Sequence, residues 1–469
     1  MRIAALAMSF VFIGGCAHVA PELDFPVPDA PPLYATNLPP SGLDEVWWHG
    51  FDDPVLDMLI ARGLDENLAI DAAAARLRAA GALLAAERSD RLPQVDGTGD
   101  AGVALAGDSE VTAAAGLFGL FNPDVNGRLA AEIRAAAADY AQAGYLQADE
   151  RRLVAAAIAS QYIEYRRSGE QLALLEQSTD LQEQTLRIVT LRFEAGLAAN
   201  LDVRRAAADL AQTQARRGLI AIARADAANA LAVLLAQAPG TFAPPASQTA
   251  GIPVYLRGPA PGVPADLLRR RTDILAAEAQ LARAAAEIGI ERADLTPSLT
   301  IPGTLSIGNG TFGGLFSDFL IGLAAAIDIP IFDGGRRRAE VAAARAVADA
   351  RLAEYRAIFL DALGEVENAL VAIDAYQQRN AALAQAIEEG ETALSQSNAL
   401  YREGLTSLFD LLDAQRQLIA SRQSLIDSEA ALASSFVAFH AAVGSDGQVN
   451  ATILQEAAGG YGARATLLQ

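Results

Sequence analysis

The sequence predicts a mainly α-helical, internally duplicated chain that also carries membrane-length β-strands, and three observations carry that prediction. The first is a repeat. Asn126-Gly127-Arg128 with Glu132 and Ala135-Ala136 recurs 208 residues later as Gly334-Gly335-Arg336 with Glu340 and Ala343-Ala344. In the same register, Gly196-Leu197 with Asp202-Val203 recurs as Gly404-Leu405 with Asp410-Leu411. An earlier stretch repeats at 204: Ile70, Leu77, Glu87-Arg88, Asp90 and Pro93 become Ile274, Leu281, Glu291-Arg292, Asp294 and Pro297. The four missing residues therefore fall after Pro93, in a segment with the period of strand. The second observation is that residues 128–195 and 336–403, 68 residues each, contain no proline. At about 1.5 Å per residue, each would form a helix of roughly 100 Å. The third is alternation of apolar and polar residues over runs of about 10 residues, the length a tilted transmembrane strand needs.

The elements follow in order. Arg2 and the apolar run Ile3 to Ile13 form a leader, too short to span a bilayer, over residues 1–15. It ends at Ile13-Gly14-Gly15-Cys16, which resembles a bacterial lipobox with cleavage before Cys16 and lipid on that cysteine. Cys16 is the only cysteine, so disulfides within the chain are excluded. Residues 16–54 read as an extended, Pro-rich arm. Ala17, by likeness to bacterial lipoproteins, favours sorting to the outer membrane. Asp53-Pro54 opens the first repeat, 55–236, with a helical pattern to Arg91 interrupted around Gly63.

Pro93 ends that helix, and a β-hairpin is expected over about 94–122. Val95, Val103 and Leu105 fall on one face, with Gln94, Asp96, Thr98 and Asp100 on the other. A turn at Gly107-Asp108-Ser109 leads to a weaker strand over 111–122. A long helical hairpin then occupies about 128–236, reversed at Gly196. Within it Leu172, Leu175, Thr179, Gln182, Leu186, Val189 and Phe193 follow a 3-4 spacing, a coiled-coil seam with two polar members. Residues 237–266 are a Pro/Gly-rich linker. The second repeat, 267–444, has its hairpin at about 298–331, where Leu299, Ile301, Leu305 and Ile307 alternate with Ser298, Thr300, Thr304 and Ser306. Its helical hairpin covers 336–444 and reverses at Gly404. Leu411, Leu418, Leu425, Leu432 and Phe439 recur there every seven residues. Residues 445–469, rich in Gly and Ala, are expected to be a flexible tail.

Function classes narrow accordingly. A net charge of −21 opposes a nucleic-acid partner and fits a soluble surface or a cation-favouring pore. Only His18, His49 and His440 occur, without a metal-ligand spacing or a phosphate-binding Gly-Lys-Ser/Thr loop, so no enzyme, cofactor or metal centre is expected beyond covalent lipid on Cys16. Four membrane-length strands cannot close a barrel alone, because an open edge in lipid strands its backbone groups at several kcal/mol each. The chain must share its strands with copies of itself, while helices of about 100 Å project into water.

Trp47-Trp48 with Asp53-Pro54, Asp266-Leu267-Leu268-Arg269-Arg270-Arg271, Ala277-Glu278-Ala279-Gln280-Leu281, Pro297-Ser298-Leu299 and Pro330-Ile331-Phe332-Asp333-Gly334-Gly335-Arg336 together resemble the TolC-type outer-membrane efflux factors, in the lipoprotein branch called NodT or OprM-like. Where that branch commonly has Arg-Arg-Pro-Asp, this chain has Arg270-Arg271-Thr272-Asp273. The resemblance implies a homotrimer in the outer membrane: a 12-stranded barrel with four strands per chain, a long periplasmic α-helical barrel and a mixed α/β equatorial belt. It further implies a periplasmic adaptor protein, an inner-membrane transporter of the resistance-nodulation-division (RND) type, and passive export of small molecules. Alternatives are the outer-membrane conduit of type I protein secretion and a structural coiled-coil envelope lipoprotein that spans nothing.

Asp410 and Asp413 match paired aspartates that the family places at the periplasmic entrance, and Asp202 is their counterpart in the first repeat. Six carboxylates in a narrow ring would favour cations and raise one another's pKa values. The same residues would equally suit the positive end of a helix dipole. The tyrosine and arginine partners expected in the second hairpin are not matched, since Thr406 and Ser407 stand there. Trp47-Trp48 is expected to pack in the belt rather than to hold a ligand.

Overall fold

A computed structural model describes residues 30–35, 46–106, 108–242, 245, 251–259, 262–307 and 319–444. The leader, Cys16, most of the arm, the tip of the second β-hairpin and the tail lie outside the described residues. Each repeat has the same plan. In the first, α1 (Pro54–Glu66) and α2 (Leu68–Ser89) lead to β1 (Gln94–Ala106) and β2 (Asp108–Phe121), then to α3 (Arg128–Glu194), α4 (Asn200–Ala215) and α5 (Arg217–Leu234). In the second, a helical turn at Leu267–Arg270 precedes α6 (Thr272–Ala293), followed by β3 (Ser298–Ile307), β4 (Phe319–Leu323), β5 (Ala326–Asp328), α7 (Arg336–Arg402) and α8 (Leu408–Ala442). Both long helices have 67 residues, and α2 and α6 both have 22. The expected duplication is therefore a structural one.

The helices pack side by side. Near the strands α2 packs on α3, α3 on α6 and α6 on α7; toward the far end α3 lies between α4/α5 and α8, which pairs with α7. Between these zones sits the main core. Trp47, Tyr162, Phe359 and Phe439 are fully buried there. Trp47 stacks on His440 at 5.4 Å, and Tyr255 stacks on Phe436 at 4.5 Å, so the paired tryptophans pack as expected. Burial foremost drives the His440 imidazole down to about 3, so it packs as a neutral ring. Asp53 caps α1: its Oδ1 accepts from the Val55 amide at 2.9 Å, and its Oδ2 accepts from the Tyr162 hydroxyl at 2.9 Å and from Arg166 at 3.1 Å. One carboxylate thus starts a helix and ties the N-terminal segment to α3.

The four strand segments after Pro93 and Pro297 form one antiparallel sheet in the order β1-β2-β3-β4, with β5 also on β3. β4 and β5 share a single register against β3. The ladder breaks opposite Pro302, which accepts from the Ala324 amide at 3.0 Å but has no N–H to return. The pairings Val95↔Gly119, Leu117↔Leu305 and Leu305↔Ile321 put the odd-numbered residues of every strand on one face. That face carries Val95, Val103, Leu117, Phe121, Leu299, Ile301, Leu305, Ile321, Leu323 and Ile327. The even face carries Gln94, Asp96, Thr98, Asp100, Ser298, Thr300, Thr304, Ser306 and Asp328, with Phe118, Leu120 and Leu320 as apolar exceptions.

Four details differ from the sequence reading. The early helix breaks at Asn67 rather than Gly63, because the Asn67 side chain caps α2 by accepting from Ala69 at 2.8 Å, while Gly63 lies against Ile158. The first hairpin turns more tightly: Ala106 pairs with Asp108, so β2 begins before 111. The first repeat's returning helix is interrupted at Arg216, whereas α8 is continuous. Lastly, the deepest line on α3 runs through Gln171, Leu174, Leu175, Ser178, Gln182, Thr185 and Val189, leaving Phe193 exposed. A helix with partners on two flanks buries the positions between two seams rather than one seam.

Candidate functional site

The two helical hairpins reverse by one local device. At the first, Gly196 has φ +77°, its amide donates to Phe193 O at 2.9 Å, and the Leu197 amide donates to Arg192 O at 2.7 Å. At the second, Gly404 has φ +76°, with Gly404 N to Tyr401 O at 3.1 Å and Leu405 N to Leu400 O at 2.9 Å. Both are Schellman closures, and the left-handed backbone is why glycine stands there.

The two returning helices begin differently. Ser407 caps α8 in a reciprocal box with Asp410, whose Oδ2 accepts from the hydroxyls of Ser407 (2.7 Å) and Thr406 (2.8 Å) and from the Ser407 amide (3.2 Å). The Ser407 hydroxyl, then that of Thr406, hold this exposed carboxyl below the usual carboxylate range. Within one chain this opposes the upward shift expected from a ring of acids. Asp413, one turn further on, accepts from the Gln417 amide nitrogen at 2.9 Å. In the first repeat Ala199 stands at the cap, and Asp202 faces Arg205 on its own helix at 4.0 Å. Position 205 corresponds to Asp413, so the first copy carries a cation where the second carries an acid.

Contacts around the two hairpins are made chiefly by residues that sequence reasoning missed, joined by Gln182, already read as a polar member of the α3 seam. Arg416 on α8 donates to Asp209 on α4 at 2.7 Å, and Gln182 on α3 donates to the other Asp209 oxygen at 3.0 Å. Gln415 donates to the Thr185 hydroxyl at 2.9 Å. Arg192, near the end of α3, donates to Tyr401 O at 2.6 Å and lies 4.9 Å from the centre of the Tyr401 ring. It thereby places a cation against the carbonyl end of α7. Burial foremost, opposed by Arg192 and assisted by Asp202, raises the Tyr401 hydroxyl above its ordinary value. A tyrosine and an arginine are thus present at this end, at 401 and 416 rather than at 406 and 407. Arg416 lies three residues after Asp413, and Asp209 seven after Asp202, so each shares a helix face with an expected acid, but nothing in that spacing pairs the two. Removing the crossing ion pair should loosen this end. Arg416 is half exposed and Asp209 largely buried, so Asp209→Ala should cost about 1 kcal/mol per chain. The loss is measurable as a lower denaturant midpoint of unfolding, and an unchanged midpoint would show that the pair restrains nothing.

The sheet is the second notable surface. Val95, Phe319, Ile321, Leu323 and Ile327 are each more than 60% exposed in the single chain. Such a continuous apolar face has to be covered by something apolar. Among the described residues no helix is long and apolar enough to cross a membrane, and no group of three His, Cys, Asp or Glu could hold a metal.

Known proteins resemble this chain over most of its length. The sequence matches the family described as outer membrane efflux protein over residues 59–237 and 263–445. It is 31% identical over 406 residues to Nodulation protein T of Rhizobium leguminosarum bv. viciae, covering 85% of this chain and 83% of the relative. It is 30% identical over 451 residues to Outer membrane protein OprJ of Pseudomonas aeruginosa, covering 91% and 93%. The solved outer-membrane channel OprN superposes with a TM-score of 0.84 at 29% identity, over 91% of this chain and 99% of that one.

Proposed function

The chain belongs to the outer membrane efflux protein family, and from that premise we propose that it is the passive exit duct of a tripartite pump, carrying small molecules from a periplasmic adaptor and an inner-membrane transporter of RND type to the cell exterior. Efflux across the outer membrane is the family's work. The three-part assembly, the homotrimer and the residue roles are the proposal. The observation that carries it is the sheet: one face apolar across its strands and the other polar on β1 and β3, with the outer edges of β1 and β4 unpaired among the described residues. Lipid accepts the odd face, but it cannot accept open edges. Three copies supply twelve strands, enough for closure, since bacterial barrels begin at about eight. A structural coiled coil that spans nothing has no use for such a wall.

In this reading the paired long helices of each chain continue the wall into the periplasm. Asp410 and Asp413, with Asp202 beside them, line the periplasmic entrance, and the Asp209–Arg416 and Arg192–Tyr401 contacts hold it narrow. Lipid on Cys16 adds an anchor. Purified protein should run as a detergent-extracted trimer and give discrete conductance steps in planar bilayers, whereas a water-soluble monomer without conductance would overturn the proposal. Cys16→Ser should abolish labelling by radioactive palmitate, and undiminished labelling would exclude that residue as the anchor.

A further inference from the structure

We propose that Arg336 forms an ion pair with Asp90 of the partner subunit, and that this pair joins the helical walls of neighbouring copies next to the strands. The inference rests on the homotrimer reading and names the contact through which the copies meet. Its template lies within one chain. Arg128, the first residue of α3, bonds Glu132 at 2.9 Å and also pairs with Asp294, which ends α6. The repeat carries Arg128 and Glu132 to Arg336 and Glu340, which bond at 3.0 Å on α7. It carries Asp294 to Asp90, which ends α2. The local backbone matches too: both aspartates have φ −68°, and a glycine with positive φ precedes each arginine. Yet within one chain α2 and α7 stand at opposite ends of the row α2-α3-α6-α7. Among the described residues, Arg336 has the near partner of Arg128 and lacks the far one. Its side chain is 67% exposed, against 42% for Arg128.

Two observations make these flanks the halves of one missing contact. Helices α2 and α6 have 22 residues each, yet ten are buried on α6, which packs between α3 and α7, and three on α2, which packs chiefly on α3. The strands also keep the repeats in step. Val95 pairs with Gly119, and shifts of 204 before the turn and 208 after it give Leu299 and Ile327, which pair in the second hairpin. The contact of α3 on α6 within a chain therefore recurs between chains as α7 on α2. Three copies joined head to tail in this way close a ring. One feature of the template changes. Arg283 on α6 pairs with Asp139 on α3 at 2.9 Å, and their counterparts are Ala79 and the exposed Val347. The interface thus combines an ion pair next to the strands with hydrocarbon further along the same helices.

The test is chemical cross-linking of the full-length protein in outer-membrane fractions. Asp90→Cys with Arg336→Cys, treated with a short bismaleimide, should give covalent dimers and trimers on a denaturing gel. Arg128→Cys with Asp294→Cys should be bridged inside one chain and stay at the monomer position. Each single cysteine should give no covalent multimer, and Cys16 is common to all the variants. A native trimer that yields no covalent multimer from the first pair overturns the contact. A monomeric unsubstituted protein instead overturns the homotrimer reading. If the double-cysteine protein does not assemble, charge exchange takes its place. Asp90→Arg should lower the urea midpoint at which the trimer dissociates, and adding Arg336→Asp should regain at least half of that loss. No recovery overturns the proposal.

Discussion

Ile321→Arg should remove the protein from the outer membrane, whereas Ser306→Arg, on a neighbouring ladder row, should leave assembly intact. Ile321 lies on the odd face opposite Leu305, and Ser306 on the even face opposite Leu320. A lipid-facing arginine near the middle of a barrel wall costs about 2–4 kcal/mol. A trimer carries three, so the total is about 6–12 kcal/mol against a folding stability of order 5–15 kcal/mol. The same cation on the even face enters water and meets none of that cost. The readout is the amount of heat-modifiable trimer in outer-membrane fractions. Equal trimer from both variants would mean that the two faces are not distinguished by lipid. Loss of both would mean that the register tolerates no arginine on either face.

Arg271→Ala should be the most damaging change outside the strands. The buried guanidinium pairs with Asp273 on α6 and with Glu365 on α7, and donates to the Ala442 carbonyl at the end of α8 at 3.1 Å. Three helices thus converge on one side chain. Gly444, at φ +72°, passes so close to the Arg270–Arg271 backbone that an added Cβ would stand 3.1 Å from it. Breaking a buried pair costs about 3–5 kcal/mol, and discounting for the half-exposed Glu365 leaves about 2–4 kcal/mol per chain. The effect should also depend on pH. In the native protein burial works against Asp273 ionising, but the hydrogen bonds and charge of Arg271 outweigh it and hold the carboxyl below its usual value. That contribution is present above the unfolded pKa near 4 and fades as pH falls through the lower folded value. Without Arg271, burial pushes the carboxyl upward, and the variant gains stability on acidification. Melting temperatures of the two proteins should therefore converge between pH 7 and pH 4. A constant gap would show that Arg271 acts by packing alone.

The parts of this molecule that depend on local signals were readable in the chain. The proline-free runs became helices of nearly the expected length, and the glycines at 196 and 404 reverse them because only a left-handed residue completes that hydrogen-bond pattern. Strand alternation foretold both faces of the sheet, since its period of two survives any register that pairs like parity. What could not be read comes from contacts between distant segments. Gln182, Asp209 and Arg416 meet only because three helices converge, and Arg416 has alanine at its equivalent position in the first repeat, so duplication gave no hint. Ser178 and Thr185 lie deeper than Leu172 or Leu186, against hydrophobic pattern, because a second neighbour covers their side of α3. Asp410 shows a different limit. Ser407-Leu408-Phe409-Asp410 spells a capping box, which accounts for where that carboxylate points within one chain, and its part in the proposed ring lies beyond what one chain spells.

The hydroxyls along the lower part of α3 have a mechanical consequence. Ser168, Ser178 and Thr185 are buried, yet each donates to a carbonyl of its own helix, four residues back. They therefore need nothing from the helix opposite. Below the aromatic belt, few bonds cross from α3 to α8, chiefly those from Arg167 and Gln171 to Asp427 and from Gln415 to Thr185. Displacing one hairpin along the other would wet hydroxyls and amides over the middle of α3, while the hydrocarbon that resists it is gathered at the tip, in Val189, Leu408, Leu411 and Leu412. The aromatic belt and the apolar tip thus hold the two hairpins together at both ends, and the polar stretch between them adds little resistance of its own.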